Sequence, residues 1–100
     1  MLVIVYEFHA KPDRLGDFET IYREDGAWAE LFRRSPGFVS TTLMKDMGDP
    51  RRYLVADRWT SAETFDDFKR THATDYDALD ERCRRLVERE TLIGRFDFLH

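Results

Sequence analysis

Apolar residues fill nearly every position from Leu2 to Tyr6, and the run Leu2 to His9 is rich in β-branched and aromatic side chains. Such a pattern predicts a strand buried on both faces, and so a central one. After Lys11-Pro12-Asp13 the period changes from two to that of a helix. Leu15, Phe18, Ile21 and Tyr22 recur at helical spacing, with Asp13 placed to cap them. The period slips at Glu24-Asp25-Gly26, which predicts a second short helix starting at Asp25 or Gly26 and burying Ala27, Trp28, Leu31 and Phe32. Ser35-Pro36-Gly37 stops it.

Two strands follow, Phe38 to Lys45 and Arg52 to Trp59, joined by the turn cluster Asp46-Met47-Gly48-Asp49-Pro50 as an antiparallel hairpin. In the second of these strands Tyr53, Val55, Asp57 and Trp59 share one face, and Leu54, Ala56 and Arg58 the other. Thr60, three residues before Glu63, predicts a capping box at the start of a helix that buries Phe65 and Phe68 and runs to Thr71. A fresh cap at Thr74 or Asp75 opens another helix through Tyr76, Leu79, Cys83, Leu86 and Val87 to about Glu88. Glu90 to Leu99 reads as the last strand, with Leu92, Gly94, Phe96 and Phe98 on one face.

The predicted order is β-α-β-β-α-β with each helix broken in two, the ferredoxin-like α+β arrangement of an antiparallel sheet with helices on one face. The face away from the helices should then be polar. Here the first strand is apolar on both faces, and Val39, Leu43, Leu54 and Ala56 add to the surplus. An uncovered apolar sheet is an interface, so a homodimer paired through the sheet faces is expected.

A length of 100 residues makes one domain, 1–100, and 42% apolar with 36% charged residues is the composition of a folded globular chain. The net charge of −4, with both signs interspersed, argues against a phosphate-tracking nucleic-acid surface. RNA binding through aromatic residues on the open sheet face is conceivable for this fold class, but no basic-aromatic motif accompanies it. Cys83 is the single cysteine, so no intramolecular disulfide forms. The opening apolar run ends at Glu7 without a basic flank or cleavage site, and no stretch approaches the length that spans a bilayer. A cytoplasmic protein is the expectation.

Several stretches, taken in order, carry a resemblance that covers nearly the whole chain. They are the opening strand into Phe8-His9-Ala10-Lys11-Pro12, Asp25-Gly26-Ala27-Trp28 with Leu31-Phe32-Arg33, Pro36-Gly37-Phe38, and Arg52-Tyr53-Leu54. The most specific is Asp57-Arg58-Trp59-Thr60-Ser61-Ala62-Glu63-Thr64-Phe65. In these the chain resembles the antibiotic biosynthesis monooxygenase-like domains of the dimeric α+β barrel superfamily. The resemblance implies a dimer whose two sheets form a barrel, with a pocket in each subunit between sheet and helices. It also implies membership of a group whose small oxygenases act on electron-rich aromatic molecules with neither metal nor flavin, while others degrade haem or isomerise lactones. Haem-degrading relatives carry a Trp and a His where this chain has Phe68 and Ala78, and neither can replace those groups.

Candidate chemistry is sparse. Asp57 and Trp59 share a strand face, so a carboxylate and a ring can meet in one pocket, where a buried Asp57 would serve as base toward a phenolic proton. The alternative is a core Trp59 and an arginine-paired Asp57. His72, at the joint of the last two helices with Tyr76 four residues on, is the other candidate base, or a helix-end residue bonding a carbonyl. Trp28, Phe32 and Tyr22 form either a lid over an aromatic ligand or plain core, and Phe65 belongs to the same prospective wall. His9, His72 and His100 are too dispersed for a metal site, and no Gly-rich phosphate loop occurs. Two functions follow: a cofactor-independent monooxygenase for a small aromatic or polyketide-like molecule, with His72 or Asp57 as base and Trp59, Trp28, Tyr76 and Phe65 as walls; or a non-catalytic dimer that binds a small ligand or supports a larger assembly.

Overall fold

The computed structural model describes residues 1–99; His100 lies outside the described residues. Its elements are β1 (Leu2–Ala10), α1 (Leu15–Tyr22), α2 (Ala27–Phe32), β2 (Phe38–Lys45), β3 (Arg52–Trp59), α3 (Ala62–Thr71), α4 (Ala73–Cys83), one 3₁₀ turn (Arg84–Leu86) and β4 (Val87–Asp97). The strands make one antiparallel sheet in the order β2-β3-β1-β4, with β1 and β3 in the middle. This is the predicted ferredoxin-like α+β fold. Both central strands bury alternate residues against the helices: Leu2, Ile4, Phe8 and Ala10 from β1, and Tyr53, Val55, Asp57 and Trp59 from β3.

Trp59, fully buried, is the hub of the core. The rings of Phe32, Phe38, Phe65 and Phe68 lie 5.1–5.4 Å from its centroid or from one another. Burying an aromatic side chain this fully stabilises the fold by roughly 1.5–3 kcal/mol in transfer alone. Two glycines permit close approaches that hold the helices in place. A Cβ on Gly26 would fall 2.4 Å from the Ile21 carbonyl oxygen, where the chain leaves α1 and starts α2. One on Gly37 would fall 2.4 Å from Cβ of Thr64 in α3.

The helix starts differ from the predictions. Arg14, not Asp13, occupies the N-cap of α1, and no side chain caps it. At α3 the capping residue is Ser61, one position beyond Thr60. Ser61 Oγ accepts from Thr64 N at 3.2 Å while Thr64 Oγ1 accepts from Ser61 N at 3.3 Å. Thr60 is still part of the sheet region, its N–H donating to the Gly37 carbonyl at 2.8 Å. Neither Thr74 nor Asp75 caps α4; His72 ends α3 and opens α4, donating to Phe68 O and accepting from Tyr76 N, both at 2.9 Å.

The helix expected to reach Glu88 ends at Cys83, and β4 starts at Val87 instead of Glu90. Pairing of Val87 with Ala10, and the bond from Lys11 N to Leu86 O at 2.9 Å, tie this segment to β1 and override its helical period. Within β4, Tyr6 pairs with Leu92 but Val5 with Gly94, so Ile93 is an extra residue that reverses the alternation. Leu92 therefore faces the helix side and Phe96 the opposite side, not one shared face. Leu43 also departs from expectation: opposite Val55, it faces the helices. The outer face nonetheless presents Val3, Val5, Leu54, Ala56, Met44 and Phe96, with no helix over it.

Candidate active site

The strand register decides which side chains share the space beneath the helices. Asp57 of β3 lies between Ile4 of β1 and Thr41 of β2. Thr41 reaches that row because β2 is irregular between Phe38 and Ser40. Phe38 pairs with Trp59 and Ser40 with Arg58, which leaves Val39 as the extra residue and turns Thr41 inward. Its hydroxyl donates to Asp57 Oδ1 at 2.5 Å. Among the described residues this is the one hydrogen bond to a carboxyl group only 6% exposed. Burial pushes Asp57 up to about 6, against the opposing pull of the Thr41 hydroxyl.

Asp57 stands in the wall of a cleft between the sheet and the helices. Tyr6, Phe8, Thr41, Val55, Asp57 and Glu90 come from the sheet, and Tyr22, Trp28, Phe32, Phe65, Tyr76 and Asp80 from the helices. Unfilled space amounts to about 480 Å³ including the mouth, but only about 30 Å³ admits the centre of a water molecule. Two or three waters fit as it stands, and a flat ring enters only if side chains part. Trp28 meets Tyr76 edge to face at 5.0 Å and packs tilted against Phe32 at 5.6 Å, so these rings wall the cleft on the side of α2 and α4.

The polar groups of this wall differ in what they can do. Tyr6, Tyr22 and Tyr76 are all held above the usual phenol range, chiefly by burial, and for Tyr6 and Tyr76 also by the Asp57 and Glu90 carboxylates. They are donors at neutral pH, not bases. The Glu90 carboxyl is raised by partial burial and then by Asp80, with Arg84 opposing. Trp28 Nε1 is buried beside the Tyr22 hydroxyl and the Cys83 thiol, with neither in ideal hydrogen-bond geometry. Of the three carboxyl groups that line the cleft, Asp57 is the buried one, and aromatic side chains line the same space.

Of the residues expected to form a site, Asp57, Trp28, Tyr76 and Phe65 meet in this cleft. Trp59 does not; it points to the same side of the sheet but is sealed in the core among four phenylalanines. His72 does not either. Its ring packs 5.1 Å from Phe68, beside a separate shallow depression with Arg34, Pro36 and Asp67. The sequence reading missed Tyr6, Thr41, Asp80 and Glu90. Tyr6 was accessible from the alternation of β1, whereas Thr41 depends on a strand irregularity with no sequence signal. Among the described residues no group of three or more His, Cys, Asp or Glu could hold a metal ion. Among the described residues no helix is long and apolar enough to cross a membrane.

Comparison with known proteins finds the same fold. The structure is similar to that of a variant of SnoaB, a cofactor-independent oxygenase from Streptomyces nogalater, at 22% identity over 99% of this chain and 93% of that one, with a TM-score of 0.80. A candidate antibiotic biosynthesis monooxygenase from Nitrosomonas europaea matches over 100% of both chains at 18% identity and a TM-score of 0.76. PA3566 from Pseudomonas aeruginosa matches at 15% identity over 99% of this chain and 94% of that one, with a TM-score of 0.74. Likenesses at these identities establish a shared fold. No curated protein matches the chain in sequence. The family model described as antibiotic biosynthesis monooxygenase matches residues 1–89, so the chain belongs to the antibiotic biosynthesis monooxygenase family.

Proposed function

We infer that the cleft is the active site of an oxygenase that acts on a small electron-rich aromatic molecule without a bound cofactor. The observation that carries this reading is Asp57: a carboxylate pushed up to about 6, buried against aromatic rings, with one oxygen held by Thr41 and the other left without a hydrogen bond. Such a group takes a proton near neutral pH. With an anthrone-like substrate, Asp57 removes a proton from the activated CH₂, and the carbanion passes an electron to O₂. Recombination gives a peroxide at carbon, which loses water to leave a carbonyl. One O₂ is consumed, one oxygen entering product and one leaving as water. The hydroxyls of Tyr6 and Tyr76, which line the cleft, would donate to the substrate's oxygens as charge builds on them.

The family description and the similarity to SnoaB support this chemistry. The apolar outer sheet face, with Val3, Val5, Leu54, Ala56 and Phe96, supports a homodimer through that face. The buried lone thiol of Cys83 suits a cytoplasmic setting. The narrowness of the cleft favours a second reading, a non-catalytic dimer. Oxygen uptake with the anthrone dithranol, corrected for spontaneous oxidation, decides between them. Uptake by the native protein that falls about 100-fold or more in Asp57→Asn, persists in His72→Ala, and rises with pH to a plateau above about 6 is expected. A full rate in Asp57→Asn would overturn the assignment of the base, and no uptake with anthrones or phenols would favour the binding role.

A further inference from the structure

The cleft wall carries three carboxylates, Asp57, Asp80 and Glu90, and no lysine, arginine or histidine. Their placement follows from register. On β1, Ile4 pairs with Asp57 of β3 and Phe8 with Glu90 of β4, so the two acids stand diagonally across β1 with Tyr6 between them. Four residues along a strand and two strand spacings put their Cα atoms about 16 Å apart, with the side chains reaching inward from both ends. Asp57 is the buried end. Glu90 is the exposed end, and its side chain makes no hydrogen bond or ion pair among the described residues.

The nearby cations border the cleft but each is already engaged. Arg84 pairs with Asp80 at 3.4 Å and with Glu81 at 2.8 Å. Arg95 sits by Asp66 at 3.8 Å and over the Phe65 ring at 5.6 Å. Lys69 lies over the Tyr76 ring at 4.9 Å. None of the three lines the cleft. An unmet polar group marks the space as a ligand site independently of the net charge: Asp57, only 6% exposed, has one carboxyl oxygen that makes no hydrogen bond. A buried carboxyl oxygen is normally satisfied, and a ligand that supplies a donor satisfies this one.

We propose that the cleft selects by charge, taking an aromatic molecule that carries a basic amine, its ammonium against Glu90 and Asp80 at the mouth and its ring between Tyr6, Tyr76 and Trp28, and rejecting aromatic carboxylates. This deepens the reading of the cleft as an aromatic site and rests on it. A carboxylate ligand would meet three like charges, of which only Asp80 is paired with a cation, and the negative faces of the surrounding rings add to its exclusion. An ammonium gains from both.

The test compares three probes of one shape by calorimetry at low salt and neutral pH: 1-naphthylmethylamine, 1-naphthalenemethanol and 1-naphthoate. The amine is expected to bind about tenfold more tightly than the alcohol, with the carboxylate weakest. Glu90→Gln, at an exposed strand position, should remove most of that preference and leave the alcohol's affinity within about twofold; Asp80→Asn should reduce it less, because Arg84 already engages that group. Raising the salt should weaken the amine and spare the alcohol. Carboxylate binding as tight as the amine's, or an amine preference that survives Glu90→Gln, overturns the proposal. Equal binding of all three removes the charge selection alone and leaves the aromatic site standing. Binding of none removes both.

Discussion

Asp57 should cost the protein stability in return for its chemistry, and the size of that cost follows from the site. Its carboxyl titrates at about 6 in the folded chain against an ordinary 3.8, because burial penalises the charged form more than the Thr41 hydroxyl rewards it. The sign is fixed by proton counting. Between those two values the folded state holds a proton that the unfolded state has released, so stability falls as pH rises through the window and stays lowered above it. A shift of about two units corresponds to about 3 kcal/mol at pH 8, and about 1 kcal/mol of it is already lost at pH 4.5. Asn keeps the shape, carries no charge and can still accept from Thr41 through Oδ1. Asp57→Asn should therefore be more stable than the native chain by about 3 kcal/mol at pH 8 and about 1 kcal/mol at pH 4.5. Urea unfolding of both proteins at both pH values, at one protein concentration, gives the double difference, in which every other titrating group cancels. The expected value is about 2 kcal/mol. A double difference near zero, or one of opposite sign, would refute the claim that Asp57 is ionised at a desolvated site.

Three further outcomes follow from the packing. Ser61→Ala should lower stability by about 1 kcal/mol and Thr60→Ala by clearly less, since Ser61 makes the capping box; urea unfolding separates them. Trp59→Ala should cost about 3–5 kcal/mol and lower the thermal midpoint sharply, as expected for a core side chain that four phenylalanine rings enclose. Val5→Arg, in the middle of the outer sheet face, should convert a dimer to monomers in light scattering while the far-ultraviolet circular dichroism is kept; a dimer that persists would place the interface elsewhere.

The chain by itself determined the order and kind of its elements. β2 and β3 fall where period-two alternation between turn signals puts them, because a half-buried strand has no other way to segregate its side chains. It also put Asp57 on one strand face with Tyr53, Val55 and Trp59, and the tertiary structure turned that face toward the helices. What it could not determine were the places where one residue more or less changes a face. The irregularities at Val39 and Ile93 arise from pairing with strands distant in sequence, and they alone deliver Thr41 to Asp57 and separate Leu92 from Phe96. Helix ends behaved likewise: Val87 pairs with Ala10 where local periodicity would continue the helix. The sorting of aromatics was tertiary too. Trp59 and Trp28 carry the same ring, yet packing seals one within the core and sets the other on a cleft, and burial in that cleft is what raises the Asp57 carboxyl.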